Sequence, residues 1–456
     1  MAITDHLLHF QTLFDNPNKI MLRKSIYTFL IHRNDDYLVY NTAKNSFWRI
    51  NEYVYRFIEE IETHKNETSD EEVMRQISVL HTMGILSTEA EDISVADQIR
   101  MRHLSNAYSK DRISVTLVPT VSCNLVCPYC FETSKPRGMM SEDTCSKVAD
   151  FIKSHVNAKY LYLTWFGGEP MLGTKVMEHF LAKIKEFSED IKLAHHGIIT
   201  NGTLLDSSRW SVFKEYPLNF LQITLDGKKP THDKKRIRPD GKGTYDEILH
   251  NLQQFASEFP DTSISVRVNI DKNNADEFMD VYDSIGQLFP EKKNLFVYPG
   301  IIKGCGTETI DSPFLRNQDI AKIRNKMVER GYPISYPQYN MGGCCATSIS
   351  SYVIGPKGEI YKCWMDLGKE DRVIGNVSDR KYTNAPLLGR YMLYGSHVMT
   401  PECWKCPLLP ICSNDCAHER LENMDNKADN DLCCIYKDNN EALLDSMYKF
   451  YKSHIR

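Results

Sequence analysis

The sequence predicts an α/β protein: a partial (β/α)6 barrel, preceded by a small hairpin-and-helix module and followed by a cysteine-rich domain. Three observations predict it. Between residues 111 and 300, strand-like apolar runs alternate with amphipathic stretches, the pattern of a parallel sheet with helices outside it. The 14 cysteines are clustered, with Cys123, Cys127 and Cys130 in one group and nine between Cys344 and Cys434 in another. The chain, at 456 residues, exceeds one small domain, and a hydrophobic content of 42% is enough for real cores. The parts fall at 1–100, 111–320 and 335–440, with a C-terminal helix over 441–456.

In order along the chain, Tyr27 to Ile31 and Tyr37 to Tyr40 read as short strands around the turn Arg33-Asn-Asp-Asp36. Val54, Phe57, Ile58 and Ile61 share one helical face. The capping box Ser69-x-x-Glu72 opens a second helix, which runs through Val73, Ile77 and Leu80 to a stop at Gly84. Residues 91–110 read as a polar linker. Six strands are expected at 113–118, 160–165, 196–200, 219–225, 263–270 and 294–298. Between the first two lies a helical pattern of Val148, Phe151, Ile152 and Val156, in which Cys145 reads as a buried thiol. The run Met447-Tyr-Lys-Phe-Tyr451 reads as a terminal helix on the core.

The formal charge of −5 is spread over the whole length, so neither nucleic-acid nor membrane attraction is implied. No apolar run reaches membrane-spanning length. The start, Met-Ala-Ile-Thr-Asp-His, lacks the basic-then-apolar build of a signal peptide. The expected location is the cytoplasm. Disulfides are disfavoured there, so clustered cysteines point to metal.

The first cysteine group lies in Pro119-Thr-Val-Ser-Cys-Asn-Leu-Val-Cys-Pro-Tyr-Cys-Phe131, with C-x3-C-x2-C spacing. Cubane iron–sulfur clusters usually take four thiolates. This loop supplies three, which leaves one iron for an exogenous ligand, as a catalytic site requires. The rival is zinc, which favours paired C-x2-C, but no second pair lies near Cys130. With Tyr129 before its last cysteine, the loop resembles the signature of the radical S-adenosylmethionine (SAM) superfamily. The resemblance implies a [4Fe-4S] cluster on Cys123, Cys127 and Cys130 whose fourth iron chelates SAM. One electron then releases a 5′-deoxyadenosyl radical, which takes a hydrogen from the substrate.

Three further segments end expected strands, where ligand sites of such sheets lie. Trp165-Phe-Gly-Gly-Glu-Pro170 resembles the family's GGEP motif. Gly167 and Gly168 would let backbone approach a ligand, and Glu169 would accept from the SAM ammonium group. Thr200-Asn-Gly-Thr203 matches another recurrent segment, giving Thr200 and Asn201 as SAM contacts or a plain turn. Thr224-Leu-Asp-Gly227, followed by His232-Asp233 and Arg236, resembles a segment of sulfatase-maturating and related peptide-modifying enzymes. By that resemblance Thr224 and Arg236 hold polar groups of SAM, the Arg fork suiting a carboxylate. Lys234, Lys235, Arg236 and Arg238 read alternatively as a basic patch for a phosphate backbone, but four charges in isolation are more often a solvated face, which discounts nucleic acid.

In the last third, Cys403-x2-Cys406-x5-Cys412-x3-Cys416 follows Cys345 and Gly358-x4-Cys363 and precedes Cys433-Cys434. This resembles the SPASM domain, which implies two auxiliary [4Fe-4S] clusters and three clusters in all. Cys345, Cys363 and Cys416 would serve one, with Cys344, Cys305 or an open iron completing it. Cys403, Cys406, Cys412 and either Cys433 or Cys434 would serve the other. The N-terminal hairpin and helices resemble, by pattern, the winged-helix element that binds leader peptides, and a generic cap has the same pattern.

The resemblance thus implies a radical SAM/SPASM peptide maturase. It would act on a precursor peptide with a leader and take electrons from a donor such as flavodoxin or ferredoxin. The product would be a thioether or carbon–carbon crosslink. Formylglycine formation in sulfatases is the alternative, although Trp364, not an Asp, follows Cys363, and Asp366 comes later. A non-catalytic zinc scaffold is the alternative from another class.

Overall fold

A two-stranded ribbon and a three-stranded antiparallel sheet open the computed structural model, which describes residues 22–61, 71–132, 138–302, 314–332, 344–379, 381–413, 416–425, 427–428, 430–437 and 440–454. Ser69 and Cys305 lie outside the described residues. The ribbon pairs β1 (Arg23–Lys24) with β5 (Leu86–Ser87). The sheet runs β2 (Thr28–Arg33), β3 (Asp36–Asn41), β4 (Ser46–Ile50). Asn34 makes the expected turn at φ 55°, a conformation asparagine tolerates. The sequence reading missed β4, although Ser-Phe-Trp-Arg-Ile has strand character. Ile58, Ile61, Ile77 and Leu80 form the module's buried core with β3's Val39. Gly84, at φ 74°, stops the second helix as expected.

The polar linker expected over 91–110 is instead a 19-residue helix, Glu89–Ala107. A reciprocal cap between Thr88 and Glu91 starts it. Its buried stripe is narrow and small, with Asp92, Ala96 and Ala107, so hydrophobic periodicity gave no signal. Asp92 instead accepts from Ser25 Oγ and Ser87 Oγ, both at 2.7 Å, and ties the ribbon to the helix.

The six expected parallel strands form: β6 (Arg112–Leu117), β7 (Tyr160–Trp165), β8 (Lys192–Thr200), β9 (Phe220–Leu225), β10 (Ser263–Ile270) and β11 (Leu295–Ile301). β9 and β10 are buried along most of their length, whereas β6 and β7 alternate buried positions with half-buried or exposed ones. The helix Glu142–Lys153 buries Cys145, Val148, Ala149 and Ile152. Val156 lies beyond its end and is 87% exposed, contrary to the expected helical face.

The cysteine-rich segment continues the same sheet. β12 (Ser351–Ile354) pairs parallel with β6, and β13 (Glu359–Tyr361) and β14 (Gly375–Asn376) follow antiparallel, giving nine strands. The terminal helix Asn440–His454 packs on the helix Asn317–Glu329, where Lys449 pairs with Glu329 at 2.5 Å, and also on the N-terminal hairpin. Leu443, Leu444 and Met447 join Ile31, Leu38, Tyr40, Cys412 and Cys434 in one buried cluster. Arg33 pairs with Asp445 at 3.1 Å and Lys452 with Asp36 at 2.8 Å. Leu443 is fully buried there. Leu443→Ala is therefore expected to cost about 2–5 kcal/mol, read as a lowered midpoint in denaturant unfolding. No helix among the described residues is long and apolar enough to cross a membrane.

Candidate active site

The cysteine loop leaves the C-terminal end of β6 and is clamped by the glycine segment that follows β7. Gly168 N donates to Thr120 O at 3.2 Å and Glu169 N to Ser122 O at 2.9 Å. A Cβ at Gly167 would sit 2.4 Å from Thr120 O, and one at Gly168 would sit 2.3 Å from Ser122 O. The close approach that these glycines permit is thus made by the chain's own cysteine loop. Cys123, Cys127 and Cys130 are half-buried, and Cys130 N donates to Cys127 O at 3.2 Å.

Glu169 is fully buried. It accepts from Met171 N (2.9 Å), Thr200 Oγ1 (2.7 Å) and Asn201 N (2.8 Å). Burial raises its pKa, and these three donors oppose the rise. Three of the roughly four acceptor positions of a carboxylate are therefore taken by protein. The loop after β8 is joined to the cysteine loop through side chains. Asn201 Nδ2 donates to Asn124 Oδ1 at 2.9 Å, and Asn124 Nδ2 to Thr203 Oγ1 at 2.8 Å. Asn251, buried on the helix Tyr245–Glu258, donates to Gly202 O and Thr203 O at 3.0 and 3.1 Å. Asn124, Thr203 and Asn251 escaped the sequence reading. Asn124 lay in plain view between Cys123 and Leu125, but its partners are 77 residues and more away.

Thr224 is buried at the end of β9, opposite Arg267 of β10. Arg236 Nε donates to the fully buried Asp226 Oδ1 at 2.9 Å. Asp226 holds the guanidinium charge despite its burial. Burial pushes the Tyr129 phenol up, and its hydroxyl accepts from Asn269 Nδ2 at 3.3 Å. His232 positions this segment. Its Nδ1 accepts from Asp226 N at 3.2 Å, and its Nε2 lies 3.1 Å from Thr244 Oγ1, which donates to Arg236 O at 2.8 Å. The basic run is largely neutralised, because Lys235 pairs with Asp271 at 2.8 Å and Arg238 with Glu247 at 2.6 Å.

Burial lowers His232 and His196 to about 4. His196 accepts from Trp165 Nε1 at 2.8 Å, which also requires the neutral ring. Both histidines favour the folded state fully above their unfolded value of about 6.5. That stability is lost as pH falls from there towards 4. At pH 5 the expected loss is roughly 2 kcal/mol for each histidine, read by comparing unfolding midpoints at pH 7 and 5.

The later thiols gather in two sets. A hydrogen bond from Cys344 lowers the Cys345 thiol, and the Cys363 thiol, raised by burial, lies near Asp366, Cys344 and Cys416. Lys362 is fully buried, is lowered by burial to about 8, and donates to Ser348 O and Ser351 O. In the second set Cys403 neighbours Cys406 and Cys433, while a bond from Cys412 lowers Cys434 to about 7. Cys433 is exposed and Cys434 buried, so each of the adjacent pair faces a different member of the set. Three rings join the loops: Phe131 lies 6.4 Å from Phe166, and Phe166 lies 5.3 Å from Trp364.

The donor set fits an iron–sulfur cluster. None of the described cysteines forms a disulfide. The Cys123 sulfur accepts N–H bonds from Leu125 N at 3.4 Å and Asn201 Nδ2 at 3.8 Å, which suit a thiolate. A cubane takes its thiolates on separate irons.

Residues 117–285 match the Radical SAM superfamily. The chain carries a radical SAM domain. A cysteine-type anaerobic sulfatase-maturating enzyme of Clostridium novyi is 24% identical over 357 residues, covering 71% of this chain and 92% of that one. The radical SAM cyclopropyl synthase TigE of Paramaledivibacter caminithermalis is 22% identical over 93% of this chain and 92% of its own. Among solved structures, anSMEcpe with bound AdoMet and a peptide superposes with TM-score 0.58 at 18% identity, over 75% of this chain and 97% of that one. Streptococcus suis SuiB bound to precursor peptide SuiA gives 0.50 at 16%, over 91% and 100%. The parallel sheet thus has the radical SAM fold, and the relatives that the chain resembles include maturating enzymes.

Proposed function

We propose that this protein modifies a ribosomally made precursor peptide, forming a thioether or carbon–carbon crosslink. The observation that carries the reading is the three-thiol loop at the end of β6, clamped by the glycine segment and joined through the rings of Phe131, Phe166 and Trp364 to the residue beside Cys363. Cys123, Cys127 and Cys130 would hold a [4Fe-4S] cluster, which with SAM and one electron supplies a 5′-deoxyadenosyl radical. Arg236, steered by Asp226, would bind an anionic group of SAM. Cys345, Cys363, Cys416 and Cys344 would hold one auxiliary cluster. Cys403, Cys406, Cys412 and one of Cys433 and Cys434 would hold the other. The barrel and the auxiliary segment share one sheet, which helps exclude water and oxidants from a carbon radical. A leader would dock on the N-terminal module, and a flavodoxin or ferredoxin would supply electrons. Full-length likeness to TigE and SuiB supports this, since the sulfatase-maturating relative covers only 71% of this chain.

Formylglycine formation is the second reading, favoured by the alignment over 92% of the Clostridium novyi enzyme. Asp366, the nearest acid after Cys363, is fully buried and accepts from Tyr391 Oη, with His418 Nδ1 at 3.3 Å. That leaves it badly placed to serve as a base.

The test is anaerobic reconstitution of the whole chain with SAM, dithionite and a cysteine-containing precursor peptide. About twelve irons per chain, 5′-deoxyadenosine and a crosslinked peptide lacking two hydrogens are expected. An aldehyde in the product would favour formylglycine. Bound zinc with no brown chromophore would end the enzyme reading. The whole chain is needed because Ile31, Leu38 and Tyr40 share their core with the terminal helix, so residues 1–100 alone would expose them.

A further inference from the structure

Asn201 has its side-chain amide committed on every side. Its Oδ1 accepts from Thr203 N at 2.9 Å and Thr203 Oγ1 at 2.7 Å. Its Nδ2 donates to Asn124 Oδ1 at 2.9 Å and to the Cys123 sulfur at 3.8 Å. An amide has two lone pairs and two hydrogens, and all four are used. The Thr203 backbone N–H can only donate, so it fixes which end of the amide is oxygen. Asn124 Nδ2 donates to Thr203 Oγ1 at 2.8 Å, so Asn124, Asn201 and Thr203 form a closed ring. The ring is buried: Asn201 is 7% exposed and Thr203 2%. Asn251 pins the two carbonyls beneath it.

We propose that Asn201 is a positioning residue of the cysteine loop, donating a hydrogen bond to the Cys123 sulfur, and is not a side-chain ligand of SAM. This rests on the reading that Cys123, Cys127 and Cys130 hold a [4Fe-4S] cluster. A SAM contact through the amide would require breaking the ring. A donor aimed at a cluster sulfur favours the more negatively charged reduced state, and hydrogen bonds to sulfur are among the levers that set cluster potentials. Asn124 acts one step back, by holding the amide towards the sulfur. Thr203 seals the ring from the other side.

The experiment is redox titration of the reconstituted full chain without SAM, following the centre whose electron paramagnetic resonance signal changes when SAM is added. Asn201→Ala is expected to make reduction about tenfold less favourable, a shift of 59 mV to more negative potential for one electron. The dissociation constant of SAM, from equilibrium dialysis, is expected to stay within about twofold. Asn124→Ala, which keeps Asn201 but frees its amide, is expected to shift the potential in the same direction by a smaller amount. If Asn201→Ala fails to hold the cluster, Asn124→Ala decides. An unchanged potential in the variants that load, or a tenfold loss of SAM affinity at unchanged potential, overturns the proposal. A wild-type iron centre that ignored SAM would overturn the underlying cluster reading instead, before any variant is made.

Discussion

Cys127→Ala is expected to abolish SAM cleavage and to lower bound iron by about four atoms per chain. The loop supplies only three thiols for the primary site, so removing one leaves a cubane tethered at two corners. Arg236 keeps its partner in the variant, because its Nε donates to the buried Asp226 Oδ1. The fold should change little, because Cys127 is half-buried on a loop outside the main core, where substitutions usually stay near 0.5 kcal/mol. Chromatographic assay of 5′-deoxyadenosine, beside an iron assay and an unfolding curve, checks all three. Cys406→Ala is the contrast: SAM cleavage persists, and peptide product is lost. Unchanged turnover in Cys127→Ala would remove the basis of the whole assignment.

The parallel sheet was legible because its short apolar, β-branched and aromatic runs alternate with helical patterns. The expected 160–165 and 263–270 coincide with β7 and β10. β8 begins four residues before the expected 196, because Lys192 to His195 alternate exposed and half-buried residues at the sheet's rim. The helix Glu89–Ala107 was illegible to hydrophobic periodicity, since it anchors itself through a carboxylate and alanines. Its capping box, Thr88-x-x-Glu91, escaped the sequence reading.

The site divides in the same way. Cysteine spacing survives in sequence because metal ligands are chosen by chemistry and local geometry. The partners of a buried amide are chosen by the fold, so nothing local in Asn124 or Asn251 announces the other end of the bond. The terminal helix shows a third case. Its packing was expected, but the residues it buries are Leu443, Leu444 and Met447, and its partner surfaces, the hairpin and the helix Asn317–Glu329, are a long-range property. The cluster it completes includes Cys412 and Cys434, which physically couples the N-terminal module to the second thiol set.

Gly168→Ala is expected to cost the protein its primary cluster without removing any ligand. The added methyl would stand 2.3 Å from Ser122 O, 2.4 Å from Val121 O and 2.6 Å from the Ser122 carbonyl carbon. All three are backbone atoms, so no side-chain rotation relieves the clash. Moving the cysteine loop away breaks the bonds from Gly168 N to Thr120 O and from Glu169 N to Ser122 O, each contributing about 1 kcal/mol. It also displaces Cys123, the next residue. The variant should therefore lose about four irons and SAM cleavage, with stability lowered by roughly 3 kcal/mol. Gly286 supplies the control. It lies inside the helix Phe278–Leu288, and a Cβ there would meet nothing within 4 Å. Gly286→Ala is expected to raise stability by about 0.5–1 kcal/mol through helix propensity and to leave iron content alone. The opposite signs separate a glycine kept for loop-to-loop contact from one the fold can spare. A Gly168→Ala protein with full iron content would show that the cysteine loop does not depend on the clamp.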